Sequence, residues 1–333
     1  MNHSWIQTNV AGLGLPGITK TYKPSVYKES SFGRWCIICV GIWAHYFALI
    51  FSLHAAPSQA GTELKIGFWN IRDLSTASRD SSELNQIAGV AHDIDCLAIC
   101  ELNDGSVLTK LKSKLAAQGG KWKRVQTSAK IGNTPSTAER YGFLYRSDKL
   151  KVRGTPHVLP QLAYTVPGEA QPRTFDREPF VCSFKNLDER FDFTVIVVHI
   201  TWGSKAAYRI GEIRALTNYF NQVQAESPTD NDVILCGDFN RNVGDPQSLG
   251  VLLTSIPNLI DTTDAGVPTK IDDANTYDHL LFQTNFVSEY TGTHGVIRFD
   301  EDRFGNDDEL ANEVCSDHRP VWAEFRVPQQ DDD

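Results

Sequence analysis

The 333 residues are 41% hydrophobic and 22% charged, with 32 Lys and Arg against 41 Asp and Glu, a formal net charge of −9. That apolar content suffices for a sizeable core in one large domain or two small ones. The chain beyond residue 60 has no internal repeat, low-complexity block or proline-rich linker, and its acidic balance speaks against broad nonspecific nucleic-acid affinity, because phosphate contacts need Lys and Arg.

The first sixty residues stand apart. They carry Lys20, Lys23, Lys28 and Arg34 against one acid, Glu29, leaving 28 basic and 40 acidic residues in the remainder, a net of −12. Trp35 to Leu53 then runs without a Lys, Arg, Asp or Glu, followed by the small residues Ala55, Ala56 and Ser58-Gln59-Ala60. A positive stretch, an apolar run and small residues read as an export signal. A buried core helix is the alternative, but such helices seldom run this long without a polar face. The apolar run sits at the lower edge of membrane-spanning length, roughly 20 residues. A cleaved signal and a retained anchor with membrane contact through 35–53 therefore both stand. Either way the expected organisation is a leader over 1–60 and one catalytic-sized domain over 61–333, outside the cytoplasm in the periplasm or extracellular space.

Beyond the leader, short apolar runs alternate with helical patterns. Strands are expected at Leu64–Trp69, Cys96–Cys100, Tyr141–Tyr145, Phe180–Phe184, Phe193–His199, Val233–Cys236, Tyr277–Phe282 and Pro320–Phe325, where Val, Ile and Phe content suits strands covered on both sides. Helices fit Ser81–Ala91, Ser106–Gln118 and Ser204–Gln224; in the last, Ile210, Ile213, Leu216 and Phe220 recur at helical spacing. The pattern is mixed α/β around one core. Cys96, Cys100, Cys182, Cys236 and Cys315 lie in or beside apolar runs, as small buried hydrophobes do, rather than in a disulfide framework or zinc site.

The notable polar residues recur where apolar runs end: Asn70, Glu101, His199, Asp238 with Asn240, Asp278, and Asp317 with His318. Singly each signal is weak. Glu101 reads equally as a helix N-terminal carboxylate, Asp238 or Asp317 as a turn residue, and His199 as a satisfied core histidine. Together they are what a site built across a sheet rim would supply. Oxygens of Asn70, Glu101, Asp238 and Asp317 are hard ligands suited to Mg²⁺. Two histidines with carboxylate partners suit a general base and a general acid, and Asn240 and Arg177 can hold phosphate oxygens.

In order, FWN (68–70), ICEL (99–102), ERYGFLYR (139–146), FDREPFVCSF (175–184), VVHIT (197–201), LCGDFN (235–240), TYDHLLF (276–282) and SDHRPV (316–321) resemble the motifs of the deoxyribonuclease-I-like endonuclease/exonuclease/phosphatase superfamily. The resemblance covers nearly all of 62–326, in the family's motif order. It implies a four-layer α/β/β/α sandwich, two packed mixed β-sheets with helices outside, and a site at one rim. It further implies that Asn70, Glu101 and Asp317 bind metal, that Glu139 partners His199, and that Asp278 partners His318. Asp238 and Asn240 match the pair that binds metal or nucleophile and phosphate, and Arg177 the arginine that contacts phosphate.

The branch is narrower ground. Glu139-Arg140-Tyr141 with FLYR, REPF and TYDHLLF leans to deoxyribonuclease I and related nucleases, while the GDLNYR and PxWCDRIL segments of inositol-polyphosphate phosphatases and the RIDY segment of abasic-site endonucleases are missing. Two departures count against the secreted deoxyribonucleases: Leu102-Asn103-Asp104 stands where they carry a minor-groove arginine, and their paired cysteines have no counterpart. The expected activity is that of a monomeric, exported, Mg²⁺-dependent endonuclease on DNA and perhaps RNA, with Mn²⁺ or Ca²⁺ as alternative metals. A sphingomyelinase-like phospholipid phosphodiesterase is the alternative, and a non-catalytic binding module would require losses in a catalytic set that is filled. Lys130, Arg140, Arg173, Arg177, Lys205, Arg209 and Arg241 lie near the motifs as a candidate basic patch. Trp202 could stack on a base, enter lipid or pack in the core, and the acidic stretch Asp300 to Glu309 reads as a mobile loop.

Overall fold

The computed structural model describes residues 63–226, 231–264 and 266–329. The expected signal or anchor of the leader lies outside the described residues; among these, no helix is long and apolar enough to cross a membrane.

The first half of the domain comprises β1 (Glu63–Leu74), α1 (Ser81–Ala91), β2 (Cys96–Leu102), α2 (Val107–Gln118), β3 (Trp122–Gln126), β4 (Arg140–Arg146), β5 (Leu150–Val158), β6 (Ala163–Tyr164) and β7 (Arg173–Thr174). The second comprises β8 (Phe180–Asn186), β9 (Asp192–His199), α3 (Ala206–Glu226), β10 (Val233–Asp238), α4 (Leu249–Ser255), β11 (Leu259–Asp261), β12 (Asp278–Gln283), β13 (Tyr290–Val296), α5 (Phe299–Phe304), α6 (Asp308–Val314) and β14 (Val321–Arg326).

Two mixed six-stranded sheets result, in the orders β13-β14-β1-β2-β4-β3 and β11-β12-β10-β9-β8-β5. Each is parallel only at its centre, between β1 and β2 in one and β9 and β10 in the other. The strand period of two assigns alternate residues to different cores. Ile66 and Phe68 of β1 join Val195 and Val197 of β9 between the sheets, where Phe143, Phe184, Phe193 and Phe325 also pack. Trp69 and Ile71 face outward beneath α1 and α2, while Ile196 and Val198 face Ile213, Leu216 and Phe220 of α3. The expected sandwich with helices on both outer faces is therefore the observed one. Truncating one of the buried phenylalanines to Ala would cost about 3–5 kcal/mol.

Local chemistry sets the helix starts. Asp80 accepts from the amides of Ser82 and Glu83 at 2.7 and 2.9 Å, and Glu83 reaches back to the Asp80 amide, closing a capping box on α1. Before α2 the same task falls to Asp104, which accepts from the amides of Ser106 and Val107, both at 2.7 Å.

The strands that the apolar pattern leaves out include the four edges of the two six-stranded sheets: β3, β5, β11 and β13. Lys123, Arg124, Lys151, Arg153, Thr291 and Thr293 on them break the hydrophobic run, as an edge exposed to solvent allows. The acidic stretch 300–309 is not a loop throughout: most of it forms α5 and the start of α6. Asp300 is buried and ion-paired with Arg319, its Oδ1 2.7 Å from Nε. The five cysteines among the described residues are free and buried, as their apolar settings imply.

Candidate active site

The functional side chains converge from strand ends at one rim. Asn70 lies in β1, Glu101 in β2, His199 ends β9, Asp238 ends β10 and Asp278 opens β12. Two devices aim them. Pairing of β2 with β4 shifts register between Ile99 and Leu102, and Glu101 there adopts a left-handed backbone with φ 59°. Such bulges redirect side chains next to active sites. At Gly237 a Cβ would come within 2.1 Å of the Val198 carbonyl oxygen, so only glycine lets β10 approach β9 and set Asp238 beside His199.

Both expected dyads form. His199 Nδ1 lies 2.9 and 3.0 Å from the two carboxylate oxygens of Glu139, and His318 Nδ1 lies 2.8 and 3.1 Å from those of Asp278. All four residues are buried. Each carboxylate fixes the ring orientation and commits Nδ1, leaving Nε2 for chemistry. The two free Nε2 atoms converge on Asp238 Oδ2, 3.7 Å from His199 and 3.6 Å from His318. Asp238 Oδ1 accepts from the Asn240 amide at 2.8 Å, and Asn240 Nδ2 donates to the Ile200 carbonyl at 2.9 Å.

The electrostatics follow from this packing. Burial alone would keep His318 neutral, but the carboxylates of Asp278 and Asp238 outweigh it and lift the imidazole to about 9. At His199, burial and the Arg177 charge oppose protonation, yet Glu139 raises it. Burial would raise Glu139 and Asp238 too; the imidazoles prevail and hold both carboxyls below their ordinary values. Asp278 goes the other way, its burial outweighing the pull of His318.

The metal ligands expected by resemblance were Asn70, Glu101 and Asp317. Asn70 Nδ2 donates to Glu101 Oε1 at 2.9 Å and to Asp238 Oδ2 at 3.0 Å. With the nitrogen committed to two carboxylates, the amide orientation is determined, and Oδ1 is left buried with no hydrogen-bond partner. An orphaned buried acceptor costs about 1–3 kcal/mol, and a hard cation would satisfy it. Asn70 and Glu101, with Asp238 beside them, thus fit a divalent metal. Asp317 lines the same cleft, but its carboxylate is ion-paired with Lys270. The tight groups of possible ligands among the described residues are Cys100 with Glu139 and His199, and Asp238 with Asp278 and His318. Burial pushes the Cys100 thiol well above its ordinary value, which leaves it a poor ligand.

Arg177 reaches the site, but its guanidinium is engaged from within. It donates to the carbonyls of His199, Thr137 and Ile200 and to the Asp176 carboxylate, bracing the loop after β9. Much of the candidate basic patch is likewise engaged locally. Arg173 and Lys205 pair with Glu169, Arg241 pairs with Asp245, and Arg140 and Arg209 donate to backbone carbonyls. Three contributors escaped the sequence reading. Lys270 and Arg72 line the cleft, and Glu212, buried in α3, accepts from the amides of Asp176 and Thr201 at 2.8 Å each. The helical period marks Ile213 and Leu216 but offers no sign that Glu212 points inward.

The groups line a cleft of about 630 Å³. A larger cavity, about 830 Å³, lies beside α3 and β6, and its lining has one cation, Arg214, and no acid; the candidate residues gather in the smaller one.

No protein-family model matches the chain. A deoxyribonuclease of Thioalkalivibrio sp. (strain K90mix) is 29% identical over 287 residues, 81% of this chain and 73% of that protein. Among solved structures, an endonuclease/exonuclease/phosphatase family protein from Bacteroides thetaiotaomicron superposes with a TM-score of 0.50 at 16% identity, covering 80% of this chain and 99% of the other. ANGEL2, a 2',3'-cyclic phosphatase, superposes at 0.53 with 13% identity over 81% and 96%. The sandwich is the fold of the endonuclease/exonuclease/phosphatase proteins, and the chain is similar in sequence to a deoxyribonuclease.

Proposed function

We propose that this protein is an exported, divalent-metal-dependent phosphodiesterase that cuts nucleic acid, DNA in the first place. The observation that carries the reading is the pair of buried imidazoles, each tied to a carboxylate through Nδ1 and each facing Asp238 through Nε2. The deoxyribonuclease relative supports the substrate class. The leader sequence supports export.

Hydrolysis requires water to lose a proton as its oxygen bonds to phosphorus, and the departing ester oxygen to gain one as its bond breaks. His318, lifted to about 9 and so carrying a proton at neutral pH, donates from Nε2 to the leaving oxygen. His199, held through Nδ1 by Glu139, takes the proton of the attacking water at Nε2. Glu139 and Asp278 hold the rings in position, and Asp238 steadies positive charge on either ring. Asn240 stands in the cleft wall to orient a phosphate oxygen. A divalent ion, Mg²⁺ by preference, would be held by Asn70 and Glu101 with Asp317 at the rim, and would neutralise charge on the phosphoryl oxygens.

The test is direct. The purified protein with Mg²⁺ is given plasmid DNA, RNA, sphingomyelin vesicles and soluble phosphoinositides. Nicking of DNA with little turnover of the lipids is the expected result. Turnover of sphingomyelin alone would replace the nuclease reading with that of a phospholipid phosphodiesterase.

A further inference from the structure

Trp202 is the most exposed large hydrophobic side chain among the described residues, 79% open, against 38%, 46% and 43% for Val158, Leu187 and Leu310. It does not pack in the core. It stands three residues past His199 and lines the same cleft, and half-buried Tyr277 lines it from the β12 side.

The backbone that carries it is held. The amide of Thr201 donates to Glu212 Oε2 at 2.8 Å, and the Arg209 guanidinium donates to the carbonyl of Gly203. The peptide is thus pinned on both sides of the tryptophan while the indole is left in solvent. A rigidly presented, unpacked ring at the mouth of a catalytic cleft is suited to meet a ligand.

Two chemistries could use such a ring. Lipid insertion favours a contiguous apolar surface, and Trp202 is followed by Gly203, Ser204 and Lys205 with Thr201 before it. Base stacking needs one flat face and tolerates polar surroundings. The cleft supplies those: Arg72, Arg177 and Lys270 line it together with carboxylates, Lys270 being paired with Asp317 and Arg177 held by backbone carbonyls. We propose that Trp202 is a stacking platform for a nucleobase next to the scissile phosphodiester, so that the site takes unpaired nucleotides more readily than bases stacked inside a duplex. The inference rests on the nuclease reading above.

The experiment uses the full-length protein with Mg²⁺ and two probes: a short oligothymidylate, and the same sugar–phosphate length built from abasic tetrahydrofuran units. A stacked base is worth about 1–3 kcal/mol, so Trp202→Ala should raise KM on oligothymidylate about 5- to 150-fold. It should barely alter KM on the abasic probe, and Trp202→Phe should recover most of the loss. Equal effects on both probes, or none on either, would overturn the platform. So would loss of binding to sphingomyelin vesicles with oligothymidylate cleavage untouched, which would assign the ring to lipid. If the wild-type protein cleaves no nucleic acid, the nuclease reading itself fails and the platform falls with it, an outcome visible before any variant is measured.

Discussion

The imidazoles of His199, which ends β9, and of His318, in the segment before β14, present Nε2 to a single oxygen, Asp238 Oδ2, at 3.7 and 3.6 Å. One buried carboxylate therefore faces both imidazoles. This couples them: a change of charge on either ring alters the field at the other.

Removing either ring should cost one proton transfer. His199→Ala and His318→Ala should each lower the rate by about 10² to 10⁴, and the double variant should fall far less than the product because the groups act as a unit. Glu139→Gln and Asp278→Asn should do milder damage. His92, His157 and His294 provide controls that should remain near wild type. His279 serves a different test: buried, 2.7 Å from Asp261 and 2.9 Å from the Arg241 carbonyl, it should affect stability before chemistry. Initial rates on plasmid DNA, with circular dichroism for folding, check all of these. Retention of more than a tenth of the activity in a folded His199→Ala or His318→Ala variant would refute the dyads.

Metal dependence is tested by charge. Glu101→Gln preserves the shape of the side chain but removes one of the two carboxylates bonded to Asn70 Nδ2. Activity should drop by orders of magnitude with the fold intact. EDTA should silence the wild type and Mg²⁺ should restore it; undiminished cleavage in excess EDTA would be decisive against the metal.

The pH dependence has a definite sign. His318 is raised in the folded state from an ordinary 6.5 to about 9. Its contribution to stability is therefore complete below about pH 6.5 and lost as pH rises through 9. Urea midpoints should fall across that window in the wild type, and less steeply in His318→Ala. Cleavage should also decline on the alkaline side near 9 as the proton donor is lost. A flat wild-type stability profile between pH 6.5 and 9.5 would contradict this.

Glu212 should prove a positioning residue. Burial pushes its carboxyl up to about 7, and its two oxygens hold the loops bearing Arg177 and Trp202. Glu212→Ala leaves two part-buried amides without their carboxylate, at no more than about 1–3 kcal/mol each. Melting should shift downward, and kcat should fall even at temperatures where the variant is fully folded. Unchanged kcat in a destabilised variant would make the role purely structural.

Export is tested at the N-terminus. Mass spectrometry should find the mature chain starting near Ala56 to Gly61 if the signal is cleaved, or an intact leader in the membrane fraction if it is retained. A soluble cytoplasmic protein with its leader would refute both.

Much of the fold is legible in the sequence because central strands bury both faces. Val195–Val198 and Val233–Cys236 read as unbroken apolar runs, the first followed by His199 and the second by Gly237 and Asp238. The edge strands β3, β5 and β13 are illegible for the converse reason: one side faces solvent, so Lys, Arg and Thr occupy positions that would otherwise mark a strand, while β11 is too short at three residues to show a pattern. The chemistry of the site was also written locally, in which residue types end which strands. What only the tertiary structure decided is how those ends meet. That Asp238 stands between the two imidazoles depends on register across β9, β10 and β12 and on the bare Cα of Gly237. That Arg177 is engaged by backbone carbonyls, that Asp317 is paired with Lys270, and that Glu212 lies beneath two loops are consequences of long-range packing. A sequence records which groups are present, whereas the partners that consume their hydrogen bonds are set by distances between residues far apart in the chain.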